Sequence, residues 1–386
     1  MDQASILAEF RSSMSVRPAS RDEAFREIMV GLLSQYFDRV EDAARVFSLM
    51  KERDEFVLND HIAFRSLDCF SLLKIFLHYD YKVMYKDVAR RIPFNFAEKK
   101  LTAVWLSHPN PSFPRVFISQ CRLDELPEIK SILLPYIEQK CDPIDSLDLD
   151  DPSTVVRYLH TRIYPPVTYQ DYCVIKEASE YVAWVLFNRY YLNHFTLTVS
   201  SLKSFGFQET LGQCVALYQK KGLRESMNVA YLETLKACYK LFLEQFNEFL
   251  RESGFKLNSV DGCDLNISED GLLLQSSTKA ALIEATFVDG TYRIPGSYVE
   301  FAYRGMLESK AMQVLNGELA LAELEPRDFR DGFETANANN IFESTYTKKP
   351  ISEKKGDQVE ALSTFKKDSL RLHAFLDQYQ TGLHSY

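Results

Sequence analysis

Three short segments of the chain each carry a candidate metal ligand and then alternate polar with apolar residues: Asp60-His61-Ile62-Ala63-Phe64-Arg65, Asn193-His194-Phe195-Thr196-Leu197-Thr198 and Tyr298-Val299-Glu300-Phe301-Ala302-Tyr303-Arg304. As strands they project His61, His194 and Glu300 from one face and turn Ile62, Phe195 and Phe301 to the other. A neutral imidazole suits a borderline divalent ion, and one carboxylate adds negative charge without saturating it. Two imidazoles and a carboxylate form the ligand set of a mononuclear non-haem iron site, with positions left open for substrate and dioxygen. The three residues therefore predict a metalloenzyme. Zinc, nickel or manganese accept the same donors, so ligand type alone leaves the metal open.

Arg65 follows His61 by four residues and projects from the same face. Its guanidinium fork reads either as a clamp for an anionic substrate or as half of a salt bridge to an internal carboxylate. Arg304 bears the same relation to Glu300, but its place at a strand end before Gly305 predicts exposure. The remaining histidines, His78, His108, His160, His373 and His384, have no partner at ligand spacing and read as structural or exposed. No Gly-x-Ser-x-Gly elbow, dinucleotide fingerprint or P-loop occurs, so serine-triad chemistry and a nucleotide cofactor are set aside.

The elements that must position these residues mix helix and strand without regular alternation, which predicts an α+β fold. Helical periodicity runs from Arg21 to Lys51, from Phe70 to His78, from Asp124 to Gln139, from Tyr169 to Asn188 and, over a long amphipathic surface helix, from Glu225 to Ser253. Besides the ligand segments, strands are expected at Lys100 to Leu106 and Arg115 to Cys121, separated by a Pro-rich loop, and through Leu272 to Gln275 and Ile283 to Val288, with a turn at Asp289-Gly290. The acidic stretch from Cys141 to Ser153 reads as a connection between two halves or as a solvated loop. The likeness of the segments at Asp60 and Asn193 hints at paired halves. Residues 1–345 are expected to form the metal-dependent domain, and residues 346–386 a polar, Lys-rich, peripheral tail with a terminal helix near Leu370 to Tyr379.

The 386 residues, 46% apolar, suffice for a large core. A net charge of −9 argues against a nucleic-acid partner, which needs a positive face. No apolar run reaches the roughly 18 residues of a membrane helix, and the start lacks a basic region followed by an apolar run, so a soluble protein is expected. Seven scattered cysteines without a Cys-x-x-Cys pair suggest neither a disulfide framework nor a zinc ribbon, and predict a reducing cytoplasm. Oligomeric state is not legible.

At Asp-His-Ile-Ala-Phe-Arg (60–65), Asn-His-Phe-Thr (193–196), Leu-Gln-Ser-Ser-Thr (274–278), Val-Glu-Phe (299–301) and Gly-Phe-Glu-Thr-Ala-Asn-Ala-Asn-Asn-Ile-Phe-Glu-Ser-Thr (332–345), the chain resembles the 2-oxoadipate dioxygenase/decarboxylase family, also called hydroxyglutarate synthase, and within it the plant-like branch. The resemblance implies a vicinal oxygen chelate-like fold, with curved sheets enclosing one metal. It matches His61, His194 and Glu300 to the family's Fe(II) ligands and Arg65 to its substrate-carboxylate arginine. It also brings Gln275, Ala336 and Asn337 to the substrate, although the last two differ from the Val-Ser of some bacterial members. The implied reaction is the oxidative decarboxylation of a small 2-oxo dicarboxylic acid, 2-oxoadipate, by O2 to 2-hydroxyglutarate and CO2, as in lysine catabolism. Two other readings stand beside it. One is a metal-dependent lyase, isomerase or hydrolase of the same fold acting on another small 2-oxo acid. The other is an inactive structural or interaction homologue.

Overall fold

The computed structural model describes residues 3–53, 55–139, 142–221, 225–259, 262–345 and 358–383. Among these residues the strands are β1 (Asn59–Ser66), β2 (Lys82–Met84), β3 (Phe94–Phe96), β4 (Leu101–Ser107), β5 (Arg115–Cys121), β6 (His194–Thr198), β7 (Asn266–Ile267), β8 (Leu273–Ser277), β9 (Leu282–Phe287), β10 (Gly290–Pro295) and β11 (Tyr298–Arg304). One sheet runs in the order β2-β4-β5-β1-β6-β11-β8-β7, with β3 added on β4, and β9 and β10 form a separate hairpin. The three ligand-bearing strands, β1, β6 and β11, are therefore neighbours at its centre.

Alternation decides what each sheet face carries. Ile62, Phe64, Val116, Ile118, Phe195, Leu197, Val299 and Phe301 share one apolar core with Phe25, Leu32 and Leu33 of the Asp22–Arg39 helix, Phe47 of the Glu41–Glu52 helix, and Phe242 and Phe246 of the Glu225–Glu252 helix. Ala63, Trp105 and Phe117 face a second core, with Val182 and Trp184 of the Glu180–Asn188 helix, Phe287 of the hairpin, and Phe333 and Phe342 of the segment after β11. Tyr36 ties the first layer to the ligand strands. Its hydroxyl donates to the Tyr298 carbonyl and accepts from the Phe195 N–H at 3.3 Å.

The halves repeat one strand pattern. β4 is antiparallel to β5, which is parallel to β1; β8 is antiparallel to β11, which is parallel to β6; β1 and β6 meet antiparallel at the seam. His61 pairs in register with Arg115 of β5, and His194 with Tyr298 of β11, so Glu300 occupies the place that Phe117 holds in the other half.

Several elements differ in detail from the pattern-based expectation. The helical run from Tyr169 breaks into Tyr169–Ala178 and Glu180–Asn188, because Ser179 is extended and its hydroxyl accepts the Val182 N–H at 3.2 Å. The acidic stretch, apart from Cys141, which lies outside the described residues, is tied down: Asp142 accepts from Ser71 at 2.9 Å and Asp145 from Lys74 at 2.6 Å. Residues 346–357, with most of the tail lysines, and His384 also lie outside the described residues. The Gln358–Leu383 helix does not stand off from the body: Leu372 and Leu376 are buried in the first core, and Phe375 stacks on Phe70 at 4.8 Å. No described helix is long and apolar enough to cross a membrane.

Candidate metal centre

His61 Nε2, His194 Nε2 and the Glu300 carboxylate converge from β1, β6 and β11, and all three residues are buried. The two Nε2 atoms lie 3.3 Å apart, His61 Nε2 lies 3.4 Å from Glu300 Oε1, and His194 Nε2 lies 3.2 Å from Glu300 Oε2. A cation about 2.1 Å from each of three donors separates them by about 3.0 Å in a facial octahedral arrangement and about 3.4 Å in a tetrahedral one. The spacings are of the size a shared cation requires, with each imidazole nearest a different oxygen of the Glu300 carboxylate.

Hydrogen bonds on the far sides of the rings fix what the imidazoles present. His61 Nδ1 donates to Asp60 Oδ1 at 2.8 Å, and His194 Nδ1 to Asn193 Oδ1 at 3.1 Å. With the ring proton on Nδ1, each Nε2 offers a lone pair. Burial holds both imidazoles below the usual histidine range, His194 well below it, so neither is an imidazolium at neutral pH. Burial pushes the Glu300 carboxyl up to about 8, with Asp60 adding to the rise and the Gln275 hydrogen bond opposing it. Glu300 Oε2 is buried without a hydrogen-bond partner. At neutral pH the metal-free carboxyl therefore keeps a proton facing the two lone pairs, and a divalent cation bound by the same three groups takes that proton's place, so the residues present fit a divalent metal.

Asp60 is the anchor behind His61. The β1–β6 register shifts between Asn59 and His61, and this irregularity lets Asp60 turn its carboxylate to the histidine beside it. Arg304 grips the same carboxylate with both arms of its fork, Nε to Oδ2 at 2.6 Å and Nη2 to Oδ1 at 2.9 Å. Burial would raise the Asp60 carboxyl, but Arg304, the His61 N–H and Arg115 together hold it well below the usual range. Arg304 is thus buried, not exposed as its place at the strand end predicted, because Asp60 and the Arg330 and Gly332 carbonyls take all of its arms. The alternation pattern gave no role to Asp60, Asn193 or Thr196, whose hydroxyl lies 3.1 Å from His61 Nε2. The available signal was an amide or carboxylate directly before each histidine.

Arg65 is 1% exposed and has no carboxylate partner among the described residues. Nη1 donates to Thr345 Oγ1 at 2.8 Å and Nη2 to the Phe342 carbonyl at 3.1 Å, while Nε is buried without a partner. His61, His194, Glu300, Arg65, Asn193 and Gln275 all line one cavity of about 20 Å³, closed by Phe117, Phe333, Ile341 and Phe342. Pockets that hold small ligands are typically about 300 Å³ or more, so the segment carrying Phe333, Ile341 and Phe342 stands closed over the site.

Gln275 donates to Glu300 Oε1 at 2.5 Å, and Asn337 donates to Gln275 Oε1 at 3.0 Å. Ala336 is exposed on the Thr335–Ile341 helix and does not line the cavity, whereas Ala338 does, because a helix turns successive side chains about 100° apart. One other group among the described residues, Asp22, Asp80 and His108, has ligand spacing. Arg17 Nη2 already bridges its two carboxylates, at 2.7 and 2.9 Å, and supplies the positive charge. A roomier hollow of about 360 Å³, beside the Pro127–Glu138 and C-terminal helices, contains none of the three candidate ligands.

Comparison with known proteins follows the same lines. Residues 28–325 match the family model described as 2-oxoadipate dioxygenase/decarboxylase. The chain is 32% identical over 346 residues to the 2-oxoadipate dioxygenase/decarboxylase, chloroplastic/amyloplastic, of Oryza sativa subsp. japonica, covering 85% of this chain and 80% of the relative. The crystal structure of hydroxyglutarate synthase in complex with 2-oxoadipate from Oryza sativa superimposes with a TM-score of 0.64 at 29% identity, over 86% of this chain and 97% of that one. A glyoxalase superfamily protein from Ralstonia eutropha shares the fold, with a TM-score of 0.53 at 15% identity over 78% of this chain and 96% of that one. The α+β, vicinal oxygen chelate-like architecture is thereby established. The cytoplasmic setting expected from the cysteines is corrected: the rice relative is a plastid protein, and unpaired thiols report reducing conditions, not a compartment.

Proposed function

The chain belongs to the 2-oxoadipate dioxygenase/decarboxylase family, and on that premise we propose that it is an Fe(II)-dependent enzyme converting 2-oxoadipate and O2 into 2-hydroxyglutarate and CO2, a step in lysine breakdown. The observation that carries this reading is the buried convergence of His61 Nε2, His194 Nε2 and the Glu300 carboxyl, whose Oε2 has no hydrogen-bond partner. These three residues would hold the metal. Iron, when bound, supplies the redox chemistry that O2 requires.

The chain's own residues do the rest. Asp60 and Asn193 keep both histidines in the lone-pair tautomer and fix their rings. Arg65 supplies a fixed positive charge for the carboxylate remote from the 2-oxo group, exchanging the Thr345 hydroxyl and Phe342 carbonyl for the two oxygens of the acid. That anchorage orients the 2-oxo end toward the metal-binding residues. Phe117, Phe333 and Phe342 keep water out of the reacting volume. The balance is simple: the bond between C1 and C2 breaks, CO2 leaves, and the two atoms of O2 end in the new carboxylate and the new hydroxyl.

The test is oxygen uptake after anaerobic loading with Fe(II). Uptake matched by 2-hydroxyglutarate formation is expected with 2-oxoadipate, and His194→Ala is expected to lose turnover by at least about a thousandfold with its circular dichroism unchanged. An active His194→Ala enzyme sinks the site. Turnover of another 2-oxo acid without O2 points to the lyase or isomerase reading instead.

A further inference from the structure

Between β8 and the segment that closes the cavity lies a chain of buried amides whose direction is fixed from one end. Asn337 Nδ2 lies 3.2 Å from the Leu273 carbonyl and 3.3 Å from the Asn266 carbonyl. Main-chain carbonyls only accept, so the amino end of Asn337 must face them. The same amino group, its two protons shared among three acceptors, lies 3.0 Å from Gln275, which turns its oxygen to it because two amino groups would repel. The Gln275 amino end is then turned to Glu300 Oε1 at 2.5 Å, and Glu300 Oε2 is left buried and unpartnered, 3.2 Å from His194 Nε2. Gln275 and Asn337 are 3% and 1% exposed, so water does not compete for these bonds.

We infer that Gln275 and Asn337 are positioning residues that hold Glu300 Oε1, itself 3.4 Å from His61 Nε2, in a hydrogen bond and leave Oε2 as the oxygen free for a metal, with the polarity of the relay dictated by the carbonyls of Asn266 and Leu273. The inference rests on the metal reading above and adds to it the denticity of the carboxylate. A Glu300 free of Gln275 can swing both oxygens to the cation and occupy a coordination position that substrate or O2 requires. The relay engages the Gln275 oxygen and one N–H and leaves the second N–H for the expected contact with substrate. Asn337 sits on the Thr335–Ile341 helix, so the segment that closes the cavity also sets the carboxylate.

The experiment is titration of the metal-free full chain with Co(II) under anaerobic conditions, reading the dissociation constant and the visible absorption. Gln275→Met, which keeps bulk but removes the donor, and Asn337→Ala are each expected to weaken Co(II) by about 10- to 100-fold. Both should also lower the molar absorption in the visible, the mark of an added ligand atom. Asn340→Ala is the control: it removes a hydrogen bond from the same helix to Asn266 Oδ1 at 2.9 Å and is expected to lower stability and leave Co(II) affinity unchanged. Should Asn337→Ala fail to fold, Gln275→Met alone decides. Wild-type affinity and spectrum in the Gln275 variant, or equal losses in the Asn337 and Asn340 variants, overturn the relay. A wild-type chain that binds no Co(II), or a His194→Ala chain that binds it equally well, removes the metal reading and the relay together.

Discussion

A guanidinium stays charged even when sealed among aromatic rings, so Arg65, with Tyr181 and Trp184 each 5.3 Å away and Phe342 at 5.7 Å, must find acceptors in its own cavity. In the closed site it borrows a hydroxyl and a carbonyl, both neutral. A carboxylate in their place forms charge-assisted bonds, each about twice as strong as a neutral one. Arg65→Ala is accordingly expected to raise KM for a dicarboxylic 2-oxo acid by about 30- to 150-fold, or about 2–3 kcal/mol, with a smaller change in kcat. Steady-state kinetics with 2-oxoadipate and with a monocarboxylic 2-oxo acid check this. An equal loss for both acids places Arg65 in the structural scaffold and not at the substrate.

At the scale of elements, one position fixes the end of the Glu300 strand and another the end of a helix. Gly305 directly follows β11, its N–H donates to the Leu272 carbonyl at 2.8 Å, and a Cβ there would collide with the Tyr239 ring of the Glu225–Glu252 helix. Gly305→Ala should force the buried ring aside and cost about 1–3 kcal/mol in urea unfolding, with the m-value preserved. His160 closes the Pro152–Leu159 helix, its Nδ1 donating to the Val156 carbonyl at 2.9 Å, and burial pulls its pKa down to about 4 from an unfolded value of 6.5. Between those values the unfolded chain holds a proton that the folded one refuses, so stability rises with pH across that window and is lost as pH falls through it. His160→Gln is expected to flatten the profile there by up to about 1.4 kcal/mol per pH unit relative to wild type. Parallel profiles for the two proteins would contradict a partly buried neutral imidazole.

For the molecule as a whole, the candidate metal ligands join three adjacent strands drawn from both halves of the sheet. Metal should therefore stabilise the entire fold, by about 2.7 kcal/mol at a hundredfold excess over Kd. Removing it with a chelator is expected to lower Tm by several degrees in the wild type and to leave His61→Ala, already lacking a ligand, unmoved. Calorimetry with and without chelator measures the difference. The repeated halves also account for why the candidate ligands number three. By register Phe117 is the counterpart of Glu300, so the repeat supplies two histidines but only one carboxylate, and an aromatic ring lines the cavity where a fourth ligand would stand.

Alternation of polar and apolar residues is a local property, and it announced that His61, His194 and Glu300 each point away from Ile62, Phe195 and Phe301 on their own strands. The strand pair at Leu101–Ser107 and Arg115–Cys121, the helix at Phe70–His78 and the long Glu225–Glu252 helix were legible for the same reason. Strand order was not, because pairing joins residues far apart in the chain and no periodicity records it. Only the tertiary structure decided that β1, β6 and β11 lie side by side, that Arg304 turns inward to Asp60, that Asn337 holds Gln275 while Ala336 faces away, and that the C-terminal helix docks on the body. Each depends on a partner met through space, and a buried charge or amide is tolerated only where that partner exists.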